Sequence, residues 1–92
     1  MPFELRIAPP VIELEPDGTR WIVRVRDGSS PVARVEWSRN GERWQPLAPD
    51  DGVLDGTFEV FGFDRERGGN LVVVRAIDRQ HNRTTTGVTE EE

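Results

Sequence analysis

Hydrolytic or proton-transfer chemistry needs a nucleophile, a base and a group that orients the base, and few residues of this chain fit those roles. His81 is the sole histidine, and there is no cysteine. Ser29, Ser30 and Ser38 have no Gly-x-Ser-x-Gly elbow around them. His81 therefore reads as an exposed turn residue, and the chain is expected to have no catalytic and no cofactor-binding residues. Asp50, Asp51, Asp55, Asp78 and Asn82 carry the hard oxygens that Ca²⁺ takes. Their spacing is neither that of an EF-hand nor of a glycine-rich calcium repeat, and turns use the same residues for their own backbone hydrogen bonds. Turn chemistry is the preferred reading, no metal ligand is assigned, and Ca²⁺ stands as the alternative. Trp21, Trp37 and Trp44 have the ring area to stack on sugars. The first two share strand parity with valines and read as core, whereas Trp44 is ambiguous and stands as an interaction candidate. A single Arg67-Gly68-Gly69 without repeats reads as a turn.

The elements that must position these residues are bounded by size and charge. Ninety-two residues make one domain with one modest core. Without cysteine, neither disulfides nor thiolate zinc sites help to hold it, so packing and strand pairing must. Arginine supplies all twelve basic charges, scattered among seventeen acidic residues for a net charge of -5. Nucleic acid is not an expected partner, because binding to phosphates needs a basic face that releases counterions. No apolar run approaches the length of a membrane span, and no basic and apolar export signal opens the chain.

Apolar residues recur with period two, the mark of half-buried strands, and no window shows a helical period. Phe3, Leu5 and Ile7 alternate with Glu4 and Arg6 before Pro9-Pro10 interrupts the ladder. Val11 to Glu15 resumes it, and Glu15-Pro16-Asp17-Gly18 predicts a turn. Trp21, Val23 and Val25 form one face of the next strand, and Ala33, Val35 and Trp37 one face of the strand after it. Asn40-Gly41 predicts a type I′ hairpin, with Trp44 on the return strand. Residues 46–56 are too rich in Pro, Gly and Asp for a ladder and predict an irregular crossing. Thr57 to Phe63 is the next strand. Leu71 to Asp78 follows, with Val72, Val74 and Ala76 facing inward. A threonine-rich strand from Arg83 to Thr89 precedes Glu90-Glu91-Glu92, read as a solvated tail. Seven to eight short strands without helices predict a two-sheet antiparallel sandwich.

Three stretches resemble bacterial immunoglobulin-like, or fibronectin type III-like, modules. Glu36-Trp37-Ser38-Arg39-Asn40-Gly41-Glu42-Arg43-Trp44 is similar to their hairpin, Pro49-Asp50-Asp51-Gly52-Val53-Leu54-Asp55 to their crossing, and Val74-Arg75-Ala76-Ile77-Asp78-Arg79-Gln80-His81-Asn82 to the end of their sixth strand. His81 stands where the pattern has Gly, and Gly56 where it has Ser. The resemblance implies an all-β immunoglobulin-like sandwich from an extracellular or cell-surface multidomain protein. The expected layout is an N-terminal strand or linker over 1–10, the sandwich over 11–89 and the acidic tail over 90–92.

The expected function is that of a non-enzymatic interaction or structural module whose partner is protein, including further copies of itself. A carbohydrate- or ligand-binding accessory domain using Trp44 and the acidic loops is the alternative, and a hydrolase a distant third. Phe3, Leu5 and Ile7 join Trp44 as interaction candidates. Their strand either folds back as a split first strand or pairs with the edge of a neighbouring copy, a head-to-tail arrangement that builds a fibre.

Overall fold

In the computed structural model, residues 9–52, 54 and 56–91 are described. They form seven strands: β1 (Val11–Asp17), β2 (Arg20–Arg26), β3 (Val32–Arg39), β4 (Gln45–Leu47), β5 (Phe58–Asp64), β6 (Leu71–Asp78) and β7 (Arg83–Thr89). The sheet order is β1-β2-β5 in one layer and β4-β3-β6-β7 in the other, with every pairing antiparallel. Among the described residues there is no helix. This is the two-sheet antiparallel sandwich that the alternation predicts, of the immunoglobulin-like kind that the resemblance implies.

Alternation also decides what lies between the layers. Val23 and Val25 of β2, Phe61 of β5, and Val72, Val74 and Ala76 of β6 are fully buried, and Trp21 and Phe63 nearly so. Each large side chain removed from water in this way contributes about 1.5–3 kcal/mol. On β3 the inner residue before Val35 is Val32, not Ala33. The β3–β6 register shifts between Val32 and Arg34, so Ala33 is the extra residue of a bulge and the face inverts across it.

Several boundaries differ from expectation. β1 runs through Pro16 and Asp17, and the turn is Gly18-Thr19, with Gly18 at φ 61°. Proline is tolerated there because β1 is an edge strand. β4 takes in Pro46 and Leu47, so the irregular crossing is shorter, and Trp44 precedes β4 instead of lying on it. The Asn40-Gly41 hairpin forms as expected, with φ 61° and 72°. His81 adopts φ 67°, the left-handed conformation that its place in the resemblance demands. The largest correction is Glu90. Far from being solvated, it is 1% exposed, because the inward parity of Thr84, Thr86 and Val88 carries past the end of β7 to place it between the sheets.

Chain entry and exit lie at opposite ends of the sandwich. At one end, Pro10 is buried and its carbonyl accepts the Thr84 hydroxyl. At the other, Glu90 sits beside the β5–β6 loop and Trp21 of β2.

Candidate functional site

The open flank between β4 and β5 holds a groove of about 790 Å³, bounded by Gln45 on one lip and by Asp64, Arg65 and Glu66 on the other. Its floor is aromatic. Trp37 of β3 and Phe63 of β5 stack across the two layers with centroids 4.2 Å apart and planes 15° from parallel. The Arg39 guanidinium also lies against Trp37, 4.8 Å from the ring centroid.

Arg39 belongs to a polar clasp behind this floor. Its Nε donates to Glu90 Oε1 at 2.8 Å and one Nη to Glu90 Oε2 at 2.9 Å, while the other pairs with Glu66 at 2.7 Å. Glu90 further accepts the Trp21 indole N–H at 2.8 Å, the Glu66 backbone N–H at 2.9 Å and the Asn70 amide at 3.1 Å. Hydrogen bonding from Arg39 is the largest influence on the Glu90 carboxyl; with the Glu66 and Trp21 donors it outweighs burial and lowers the pKa from 4.5 to about 2. The same contact raises the Arg39 guanidinium above its ordinary value. A buried carboxylate with this many donors is a fixed structural charge. It is not poised to exchange a proton near neutrality.

The groove also borders a strand edge. Asp50 N–H donates to the Val60 carbonyl at 2.8 Å, and Arg39 donates to the Asp64 carbonyl at 3.0 Å. In an antiparallel strand alternate residues turn their backbone polar groups the same way, so Gly62, between these two, points its N–H and C=O to the open side of β5. Gly62 also passes close beneath Arg20: a Cβ there would lie 2.5 Å from an Arg20 Nη.

All three tryptophans carry an arginine. Arg65 lies 5.3 Å from the Trp21 ring, Arg39 lies over Trp37, and Arg75 lies 4.0 Å from the centroid of Trp44. Such contacts orient the guanidinium and cover the ring face it touches. Arg75 is itself held by Glu36 at 2.8 Å. Trp44 is therefore a half-buried side chain on the outside of the β4-β3-β6-β7 sheet, next in sequence to Gln45 but not part of the groove lining. Phe3, Leu5 and Ile7, the other interaction candidates, lie outside the described residues, as does Asp55.

The entry end of the sandwich is closed by acids. Asp27 and Asp78 are 2% and 1% exposed. Asp27 Oδ1 accepts the Ser29 and Ser30 backbone N–H groups and the Ser29 hydroxyl, but its Oδ2 has no hydrogen-bond donor among the described residues. Asp78 accepts from the Gln80 and Asn82 backbones and from the Asn82 amide. Burial raises the Asp78 carboxyl, and hydrogen bonds, the Asn82 amide first and then the Asn82 and Gln80 backbones, bring it below its ordinary value. Asp78 and Asn82 are thus used within one turn. Among the described residues no group of three His, Cys, Asp or Glu side chains is placed to hold a metal ion. His81 borders a cavity of about 510 Å³ with Ala33, Arg34 and Ile77. The serine hydroxyls are engaged elsewhere: that of Ser29 donates to Asp27, that of Ser30 to the Pro31 carbonyl and that of Ser38 to the Glu42 carbonyl.

Parity was the unread signal for the acids. Asp27 follows Val23 and Val25 by two residues, Asp78 follows Val74 and Ala76, Glu59 precedes Phe61 and Phe63, and Glu90 follows Val88. Each continues an inward row beyond its last apolar member. Trp37 is read from parity as core, and the structure leaves it half-buried in the groove lining.

No protein-family model matches the chain, and no curated protein matches its sequence. Among solved structures, the PKD1 domain of Vibrio anguillarum Epp is similar, with 18% sequence identity and a TM-score of 0.50 over 90% of this chain and 94% of that one. That likeness is one of fold, an immunoglobulin-like β-sandwich.

Proposed function

We propose that the chain is a non-enzymatic module of an extracytoplasmic protein, holding neighbouring parts of an assembly apart and in line and joining copies through an edge strand. The observation that carries this reading is the anchoring of both ends. The backbone enters at Pro10, buried and bonded to Thr84, and leaves at Glu90, held by Arg39, Trp21, Asn70 and the Glu66 backbone, at the opposite pole of the sandwich. A unit so built transmits position along its long axis, because no slack intervenes between chain and core at either pole. The extracytoplasmic setting rests on the resemblance of the three motifs and on the similarity in fold to the Vibrio domain. The sugar-platform alternative needs a bare indole face. The guanidinium on each tryptophan counts against it.

A two-copy concatemer joined from Glu91 to Pro9 tests the spacing role by small-angle X-ray scattering. The expected result is a rod with roughly twice the maximum dimension of one copy. A compact, side-by-side pair overturns it.

A further inference from the structure

The four strand edges of the sandwich are not equally available for pairing. β1 carries Pro16 and an outer row of Glu13, Glu15 and Asp17, charges and a proline that blunt an edge. β4 is three residues long and contains Pro46. β7 packs near β1, and its Thr84 hydroxyl is committed to Pro10. The lower half of β5 is covered by the crossing segment through Asp50. What remains is the upper half of β5, where by alternation the Gly62 N–H and C=O turn away from β2, beside the groove lined by Trp37, Phe63 and Asp64. A strand laid there would satisfy Gly62 and send alternate side chains between the layers, so it must be apolar at every second residue.

Phe3-Glu4-Leu5-Arg6-Ile7 has that pattern. Its outward residues, one acidic and one basic, match the lip, where Arg65 stands beside Asp64 and Glu66. The segment is too short to reach the groove of its own molecule. Val11 is level with Arg26 and Phe58, so the path to Gly62 crosses two strand spacings, about 10 Å, and climbs four residues, about 13 Å. The direct distance is thus about 16 Å, whereas an extended chain from Pro9 back to Leu5, the middle of the segment, covers only about 13 Å. We propose that the groove between β4 and β5 accepts residues 3–7 of a second copy, which add as a strand to β5 at Gly62. This rests on the joining role proposed above and names its acceptor. Because donor and acceptor sit on different parts of the surface, the contact is heterologous and grows head to tail without closing.

Complementary variants of the full chain test the pairing, with mass measured by multi-angle light scattering and folding checked by circular dichroism. Leu5→Glu disables the donor. Gly62→Pro removes the edge N–H, and Gln45→Lys places a charge on the groove lip, giving two independent acceptor variants. The unaltered chain should grow with concentration, and each variant should weaken association at least tenfold. Leu5→Glu mixed with Gly62→Pro should yield one complex of twice the 10.5 kDa chain mass and nothing larger, since only one working contact is left. If Leu5→Glu is monomeric while both folded acceptor variants still grow, the groove is the wrong acceptor and the joining role survives. If the unaltered chain stays monomeric at millimolar concentration, both fall.

Discussion

Replacing Glu90 with glutamine tests whether the clasp at the exit end holds the sandwich together. A carboxyl lowered from 4.5 to about 2 binds its proton less readily in the folded chain than in the unfolded one. At about 1.36 kcal/mol for each unit, the charged form contributes about 3 kcal/mol to folding at pH 7. The contribution is complete above pH 4.5 and is lost as the pH falls toward 2, so the acid limb of the stability curve carries its signature. Glu90→Gln keeps the size and an acceptor oxygen but loses the charge that Arg39 grips. Its expected cost at pH 7 is about 2–3 kcal/mol. For a domain of this length that lowers the melting temperature by roughly 10–20 °C. Glu90→Ala should cost more, since the Trp21 and Glu66 N–H groups then lose their acceptor as well. Urea unfolding followed by tryptophan fluorescence at pH 7, 5, 4, 3 and 2 gives the measurement. The difference between the two chains should shrink below pH 4.5 and approach zero near pH 2. A difference below about 0.5 kcal/mol at pH 7, or one that does not change with pH, would refute the reasoning.

Asp27→Asn should stabilise the entry end by about 1 kcal/mol, because an amide nitrogen in place of the donor-free Oδ2 offers a hydrogen to the neighbouring Asp78 carboxylate; thermal unfolding at pH 7 reads the gain, and a loss contradicts it. His81→Gly should raise stability by roughly 0.5–1 kcal/mol, since glycine adopts φ 67° without a Cβ penalty, and chemical denaturation measures it. Phe61→Ala should cost about 3–5 kcal/mol by emptying the centre of the core, visible as a large drop in denaturation midpoint. Calorimetry with and without a chelator should give the same melting temperature, as turn chemistry at Asp78 and Asn82 requires; a chelator-induced fall of several degrees reinstates Ca²⁺.

The sandwich was legible because its driving pattern is local: alternation along Trp21 to Val25 and Val72 to Ala76 needs no knowledge of partners. The Asn40-Gly41 turn was equally open, since positive φ is written into those residue types. What escaped was conditional on three-dimensional company. A bulge at Ala33 cannot be read from a stretch that alternates well in either register. Glu90, Asp27 and Asp78 occupy inward positions, yet a carboxylate is assigned to solvent until its donors are known, and those of Glu90 come from residues as distant as Trp21 and Arg39. The groove is lined by residues of both layers beside a β4 of only three residues, an arrangement no single strand encodes. Phe3, Leu5 and Ile7 belong to a segment whose alternation is plain in the sequence and which lies outside the described residues.

The bond between Trp21 and Glu90 spans 69 positions of the chain. During synthesis the second strand is made long before the residue that satisfies its indole. Closing so long a loop costs entropy that only the assembled sheets can offset. A nascent chain that has reached Thr89 thus carries all seven strands of the described residues but still lacks the carboxylate that bonds the Trp21 indole of the first sheet.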